Sequence, residues 1–224
     1  MDMPNLYAGD YKKLILAPAI LLVIAFYFIF FVGVPQGIEL KGGVLVTLQV
    51  NGTVDEEGLQ EGLASIGVHE VSIRRYSNPV GDVLEVEIEQ NEKLSEIEKS
   101  MPQFNQLYSE VADAELELAV AEEQARLEVD EGAEQRAQEA RERYEALYSQ
   151  LTQKGEELLD KIREAGGEVS GGYENARELK ELVENSFLSA RDKYRREILH
   201  AIGNNVGYSS YSFRDVSPTL SGFF

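Results

Sequence analysis

Residues 14–43 read LILAPAILLVIAFYFIFFVGVPQGIELKGG, and this stretch decides how the chain is organised. Its first 19 residues, Leu14 to Val32, contain no charged side chain. A helix that rises about 1.5 Å per residue would make them roughly 28 Å long, close to the hydrocarbon thickness of a bilayer. A glycine-rich segment, 37–43, then leads into an alternating apolar run. We therefore predict one membrane anchor followed by an extramembrane domain.

The residues that flank the apolar run predict its processing and its orientation. A cleaved signal peptide usually has an apolar region of only about 7–15 residues, and no A-x-A-like cleavage site follows this run. Lys12 and Lys13 precede the run, whereas only Lys41 lies close behind it. By the positive-inside rule, we expect an uncleaved anchor in the plasma membrane, with the N-terminus cytoplasmic and the main domain extracytoplasmic.

The overall composition argues against several classes of function. The chain has 40 acidic and 21 basic residues among 224, which gives a net charge of −19. Nucleic acids and anionic lipid surfaces are polyanions, so the extramembrane part is poorly suited to bind either. The chain has no cysteine and only two histidines, His69 and His200, which argues against thiolate or histidine metal sites. We expect no cofactor and no metal ion.

Residues 44–90 follow strand and helix periods in turn. The predicted elements are a strand over 44–50, a helix after 53, a strand over 68–76 and a strand over 82–90. Asn51-Gly52 is expected to end the first strand. Thr53 is expected to cap the helix in a capping box, and Gly67 to follow its last turn.

From 92 to 203 the apolar period becomes that of helices. One seam steps by four and three residues: Leu107, Val111, Ala114, Leu118, Ala121 and Ala125. The glycine-rich stretch 166–172 predicts a break between helices. Two arrangements are open. Either three helices lie near 102–130, 133–165 and 173–203, or one unbroken helix runs from 102 to 165 and pairs with 173–203.

A final strand is predicted over 206–216, so the element order is βαββαβ. We predict an α+β fold, in which an N-terminal transmembrane helix precedes a ferredoxin-like domain. The second helix of that domain is expanded into a long helical, coiled-coil-like insertion. The predicted parts are a cytoplasmic N-terminus with the transmembrane helix (1–36), the first part of an extracytoplasmic α+β domain (37–91), the helical insertion (92–203), and the last strand with the approach to a second transmembrane helix (204–224).

Three short segments resemble the start of SecF, a membrane subunit of the SecD/SecF protein-export pair, in its archaeal form. They are YKKL at 11–14, GIELKGG at 37–43 leading into VLVT, and DVSPTL at 215–220 after the last strand. The similarity covers about 1–90 and 205–224. Glu39 stands where the family usually has Asp, and SecD shares the same exit motif, so SecD remains the neighbouring alternative.

The resemblance implies an accessory subunit of the Sec translocase that assists the export of preproteins and is linked to the proton-motive force. Its implied partners are a SecD-like subunit, the Sec translocation channel, the exported polypeptide and the lipid bilayer. The family's proton-linked residues lie in later spans, so none is assigned here. The implied site residues are the exit motif, Gly37, Glu39, Gly42 and Gly43, and the approach to a second span, Ser217, Pro218 and Thr219.

Other interpretations of the same residues remain open. Gly42 and Gly43 fit either a tight bend at the membrane exit or a contact with a neighbouring subunit. The segment 51–53 matches the N-glycosylation pattern as well as a strand-to-helix turn. The sequence contains no nucleophile elbow, zinc signature or calcium loop, so we assign no catalytic residue and favour a binding module over an anchored hydrolase. The alternative function is a single-span, membrane-anchored coiled-coil adapter or scaffold.

Overall fold

The computed structural model describes residues 11–27, 42–79 and 81–216. The helices and strands in these ranges alternate in the order expected of an α+β fold. They are α1 (Tyr11–Tyr27), β1 (Gly43–Val54), α2 (Glu56–Ser65), β2 (Val71–Asn78), β3 (Gly81–Glu89), α3 (Glu92–Arg126), α4 (Ala133–Glu164), α5 (Ala176–Asn205) and β4 (Val206–Val216).

α1 contains part of the predicted membrane anchor. It has 17 residues, and its side chains from Pro18 to Tyr27 are exposed. The rest of the predicted anchor, 28–32, lies outside the described residues. Within the described ranges, no helix combines the length and the apolar character that a membrane crossing requires.

The four strands form an antiparallel sheet in the order β2-β3-β1-β4. β1 lies in the interior of the sheet, where Val46 is opposite Val86 of β3 and Phe213 of β4. The alternating apolar side chains of β1 and β3 are buried on one face: Val44, Val46, Leu48, Val50, Leu84, Val86 and Ile88. The period-2 pattern of the sequence therefore produces a sheet with one apolar face.

The first strand is longer than the sequence predicted. β1 continues through Asn51-Gly52 to Val54 instead of ending there. Its pairing with β4 shifts in register after Gln49 and again between Val50 and Val54, so that Val54 lies opposite Val206. Gly52 has a φ of 120°, which only glycine adopts easily, so the dipeptide forms an irregularity within the strand.

The start of α2 also differs from the prediction, whereas its end agrees with it. The capping residue is Asp55 and not Thr53, because Thr53 still belongs to β1. The Gly58 N–H donates a hydrogen bond of 3.0 Å to Asp55 Oδ1. Gly67 follows the helix with a φ of 82°, as the sequence predicted.

Two helices cover the apolar face of the sheet. Leu59 and Leu63 of α2 are fully buried, and Ile198 and Ile202 from the C-terminal part of α5 lie in the same core. Full burial of one such side chain contributes about 1.5–3 kcal/mol to folding. These residues therefore hold the helices on the sheet.

The helical block consists of three helices, so the interpretation with one unbroken helix from 102 to 165 is wrong. The chain turns at 127–132, where Glu128 takes a φ of 50°. Lys93 Nζ donates to the carbonyl of Glu164 at 3.0 Å, which joins the start of α3 to the end of α4. The two helices are therefore an antiparallel pair.

The second core lies among α3, α4 and α5. Its fully buried members are Ile97, Phe104, Val111, Leu151, Leu158, Ile162, Leu179, Val183 and Ala190. Of the predicted seam in α3, Val111 and Ala114 are buried, whereas Leu118, Ala121 and Ala125 are half-buried. α5 contributes to both cores, because its first part packs in the bundle and its last part packs on the sheet.

Candidate functional site

The described part of the exit motif lies at the end of the sheet where β1 begins. Gly42 and Gly43 are both buried, and Gly42 has a φ of 81°, in the left-handed region that favours glycine. Gly43 is paired with Glu89 on one side and with Val216 on the other. The chain therefore enters and leaves the sheet through adjacent strands at the same end.

A cavity of about 260 Å³ lies beside this end of the sheet. Its walls come from the start of β1, the end of β4, the start of α3 and the middle of α5. Its apolar lining includes Val44, Leu94, Phe187, Phe213 and Val216. Ligand pockets usually measure about 300–1,000 Å³, so this cavity lies just below that range.

Two arginines of α5 contact the end of β4 beside this cavity. Arg191 Nη2 donates a hydrogen bond of 2.6 Å to Asp215 Oδ2. The guanidinium carbon of Arg195 lies 4.5 Å from the centre of the Phe213 ring, a cation–π contact. Both contacts fix the last residues of β4 against α5, directly before the chain leaves the sheet.

Tyr194 stands between the two cores and lines the same cavity. Burial raises the pKa of its hydroxyl to about 12, and the carboxylates of Glu197 and Glu89 act in the same direction. The phenol is therefore neutral at physiological pH. It can donate a hydrogen bond there, but it cannot act as a general base.

His200 and Arg75 have ordinary surroundings. Within the described residues, no cluster of three or more His, Cys, Asp or Glu could hold a metal ion. His200 Nδ1 lies 3.3 Å from the side-chain nitrogen of Asn204. Arg75 pairs with Asp82 at 2.6 Å, and hydrogen bonds from Ser77 and Arg75 lower the pKa of that carboxyl group.

Sequence reasoning found one side of this site and missed the other. Asp215 belongs to the segment that carries the resemblance, but nothing in the sequence marked Arg191 or Phe187 as its neighbours. These residues lie within a regular helical stripe, which predicts packing alone. The ion pair joins residues 24 positions apart, and the fold brings them together.

Comparison with known proteins finds a similarity at this end of the chain. The family described as "SecD/SecF GG Motif" matches residues 27–54. The chain is also 29% identical over 73 residues to the protein translocase subunit SecF of Calditerrivibrio nitroreducens. This chain is SecF-like in part. The aligned stretch covers 33% of the chain and 24% of that relative, so the SecF-like similarity spans about a quarter of the relative's length. No solved structure matches the chain.

The SecF-like match and the described structure overlap at the start of the sheet. The matched range contains Gly37, Glu39, Gly42 and Gly43, of which the structure describes Gly42 and Gly43. Ser217, Pro218 and Thr219, the predicted approach to a second span, lie outside the described residues.

Proposed function

We propose that this chain is, or forms part of, an accessory membrane subunit of the Sec translocase that assists the export of preproteins. One observation carries the proposal. The GG-motif match over 27–54 ends in the strand that receives the chain, and Gly43 of that strand lies opposite Val216, where the chain leaves the sheet. Because the start of β1 and the end of β4 lie at the same end of the sheet, the domain is suited to connect two adjacent membrane spans.

The anchor belongs to the same proposal. Residues 14–32 cross the plasma membrane with the N-terminus cytoplasmic and the sheet and helical bundle extracytoplasmic. The uncharged run and the preceding lysine pair support this orientation. Because the chain has no cysteine, a single cysteine can report the side of the membrane. We expect a membrane-impermeant maleimide to label Ser170→Cys in intact cells but not Asn5→Cys, and the reverse pattern would refute the orientation.

The fold is proposed to be a ferredoxin-like βαββαβ domain with a coiled-coil-like insertion, of the kind expected in an archaeal SecF. The antiparallel strand order β2-β3-β1-β4, with α2 and α5 on one face, supports the domain. The seam of α3 supports the insertion. The proposed boundaries remain 1–36, 37–91, 92–203 and 204–224.

The proposed partners are a SecD-like subunit, the translocation channel, the exported polypeptide and the surrounding lipid. The energy source is the proton-motive force, as the family resemblance implies. The exit motif, Gly37, Glu39, Gly42 and Gly43, docks the SecD-like subunit, and Ser217, Pro218 and Thr219 begin the path to a second span. We expect a binding and positioning role without catalysis.

Affinity purification of the membrane-extracted protein, with co-purifying subunits identified by mass spectrometry, tests this proposal. We expect SecD and channel subunits with the native chain, and a several-fold loss of SecD with Gly42→Ala. Gly171→Ala is a matched control, because Gly171 also has a positive φ, of 100°, but lies in the connection between α4 and α5. Equal SecD recovery with Gly42→Ala and the native chain would show that the exit motif is not part of the interface with SecD.

The alternative function is a single-span adapter or scaffold that binds another protein through its helices. The 35-residue α3 and its antiparallel partner α4 favour it, because such a pair presents a long surface away from the sheet. Recovery of self-associated protein with neither SecD nor channel subunits would support the adapter and refute the translocase role.

A further inference from the structure

The outer half of the α3–α4 pair stands apart from the third helix. We call residues 112–147 the arm. α5 begins at Ala176, and Lys180 lies 5.4 Å from the centre of the Tyr108 ring, so the third helix starts beside the inner part of α3. Ala114 and Ala133 are the buried residues of the arm. The arm is therefore a two-helix projection with a small internal core.

The arm exposes an apolar strip near its end. Leu116, Val120, Leu127 and Val129 are 67%, 57%, 63% and 60% exposed. At about 100° per residue, Leu116 and Val120 lie on the side of α3 opposite the seam that faces α4, and Leu127, directly after the helix, continues that side. They extend over roughly 16 Å of helix, and Val129 follows them in the turn. Single exposed apolar residues are common on protein surfaces, whereas four of them at one end of the arm form a candidate binding surface.

The charges around the strip select its partner. The arm has 12 acidic and four basic residues, a net charge of −8. All four arginines already form ion pairs within the arm: Arg126 with Glu123, Arg136 with Asp130, Arg141 with Glu122, and Arg143 with Glu117. The other eight carboxylates form no ion pair in the described structure, among them Glu115 and Glu128 beside the strip, and Glu145 also acts electrostatically on Arg141. The arm therefore offers uncompensated negative charge next to an apolar surface.

This combination excludes the other common occupants. A second copy of the arm would bring the same negative charge. Like charges that face each other across an interface weaken binding by roughly several kcal/mol. An anionic lipid surface or a nucleic acid is repelled for the same reason. A polypeptide segment with apolar side chains flanked by lysine or arginine can pack on the strip and form ion pairs with the carboxylates.

We propose that the end of the arm is a docking surface for an apolar, cationic segment of a non-native polypeptide. The strip covers the apolar side chains, and the surrounding carboxylates pair with the basic ones. The proposal depends on the translocase role only for the origin of the segment, which would be the exported chain. It assigns the helical insertion a task distinct from that of the exit motif.

A peptide-binding measurement on the full chain in zwitterionic nanodiscs tests the proposal. The probe is a short fluorescent peptide of leucines and lysines, and its match has every lysine replaced by glutamate. We expect fluorescence anisotropy to show binding of the cationic peptide alone, and higher salt to weaken it. The variant with Leu116→Ser, Val120→Ser and Leu127→Ser should lose at least about tenfold in affinity, since it removes most of the apolar contact.

The control is Tyr211→Ser, which removes a 47% exposed aromatic side chain from β4, outside the arm. Its affinity should stay that of the native chain. Equal peptide affinity in the triple-serine variant would overturn the proposal, as would equal binding of the anionic peptide. A dimer that disappears in the triple-serine variant would also overturn it, because the strip would then join two copies. SecD recovery is measured separately, so failure of the translocase role and failure of the arm give different results.

Discussion

Gly167→Ala should destabilise the fold, although glycine-to-alanine changes in ordinary backbone usually stabilise. Gly167 follows α4 in a Schellman motif, in which its N–H donates to the Ile162 carbonyl at 2.8 Å and Gly166 takes the left-handed φ of 84°. A Cβ built on Gly167 lies 2.5 Å from Ile162 Cγ2, 2.9 Å from Ala190 Cβ and 3.0 Å from the Ser186 carbonyl oxygen. Ile162 and Ala190 are fully buried, so neither can move aside freely.

The magnitude follows from two opposing effects. Overpacking costs about 1–3 kcal/mol, and the lower entropy of the unfolded alanine chain returns about 0.4–1 kcal/mol. We therefore expect a net loss of about 1–2 kcal/mol, which lowers the melting temperature by roughly 4 °C in a protein of this size. Circular dichroism at 222 nm reports the unfolding, because the three long helices dominate that signal.

The same loop supplies the matched control. Gly172 has no left-handed φ, and a Cβ built on it meets nothing within 4 Å. Gly172→Ala should therefore stabilise the fold by about 0.4–1 kcal/mol. Changes of the same sign in the two variants would refute the reasoning, because they would show that contact with α5 does not decide the effect.

Three further changes test other contacts. Asp55→Ala removes the acceptor for the Gly58 N–H at the start of α2 and should cost about 1 kcal/mol in urea unfolding, whereas no loss would mean that the cap is dispensable. Glu128→Gly should raise the melting temperature, because Glu128 has a φ of 50°, which costs a non-glycine residue about 1–2 kcal/mol. This cost is larger than the entropic cost of introducing a glycine, and a lower melting temperature would contradict the reasoning. The Tyr194 pKa is raised to about 12 in the folded state, so its contribution is present below pH 10 and is lost as pH rises towards 12. Tyr194→Phe should therefore lose less stability over that range, by on the order of 2 kcal/mol, and identical alkaline profiles for both proteins would exclude the effect.

Local sequence patterns predicted the elements well where one period dominates. The alternation in β1 and β3 located both strands and their buried faces, and the final strand spans 206–216 as predicted. The end of β1 was wrong because Asn51-Gly52 usually marks a turn. Here, the pairing of Val54 with Val206 continues the strand past that dipeptide, and only the partner strand supplies this pairing.

The glycines of the exit motif and the apolar residues of the arm were both visible in the sequence, but with different clarity. Gly42 and Gly43 carry a family pattern, so a motif could point to them. Leu116, Val120 and Leu127 follow a spacing of four and seven residues opposite the predicted seam, which was a usable signal of a second helical face. Whether a third helix covers that face depends on where α5 begins.

The sequence by itself determined the uncharged run, the negative charge, the strand and helix periods, and the motif that marks the chain as SecF-like in part. These properties are local, because they depend on which side chains follow one another along the backbone. The tertiary structure alone decided that Gly43 lies opposite Val216, that Arg191 reaches Asp215, and that α5 begins beside the inner part of α3 rather than along the arm. Each of these depends on contacts between residues far apart in the chain, and packing of the two cores, rather than any local preference, selects them.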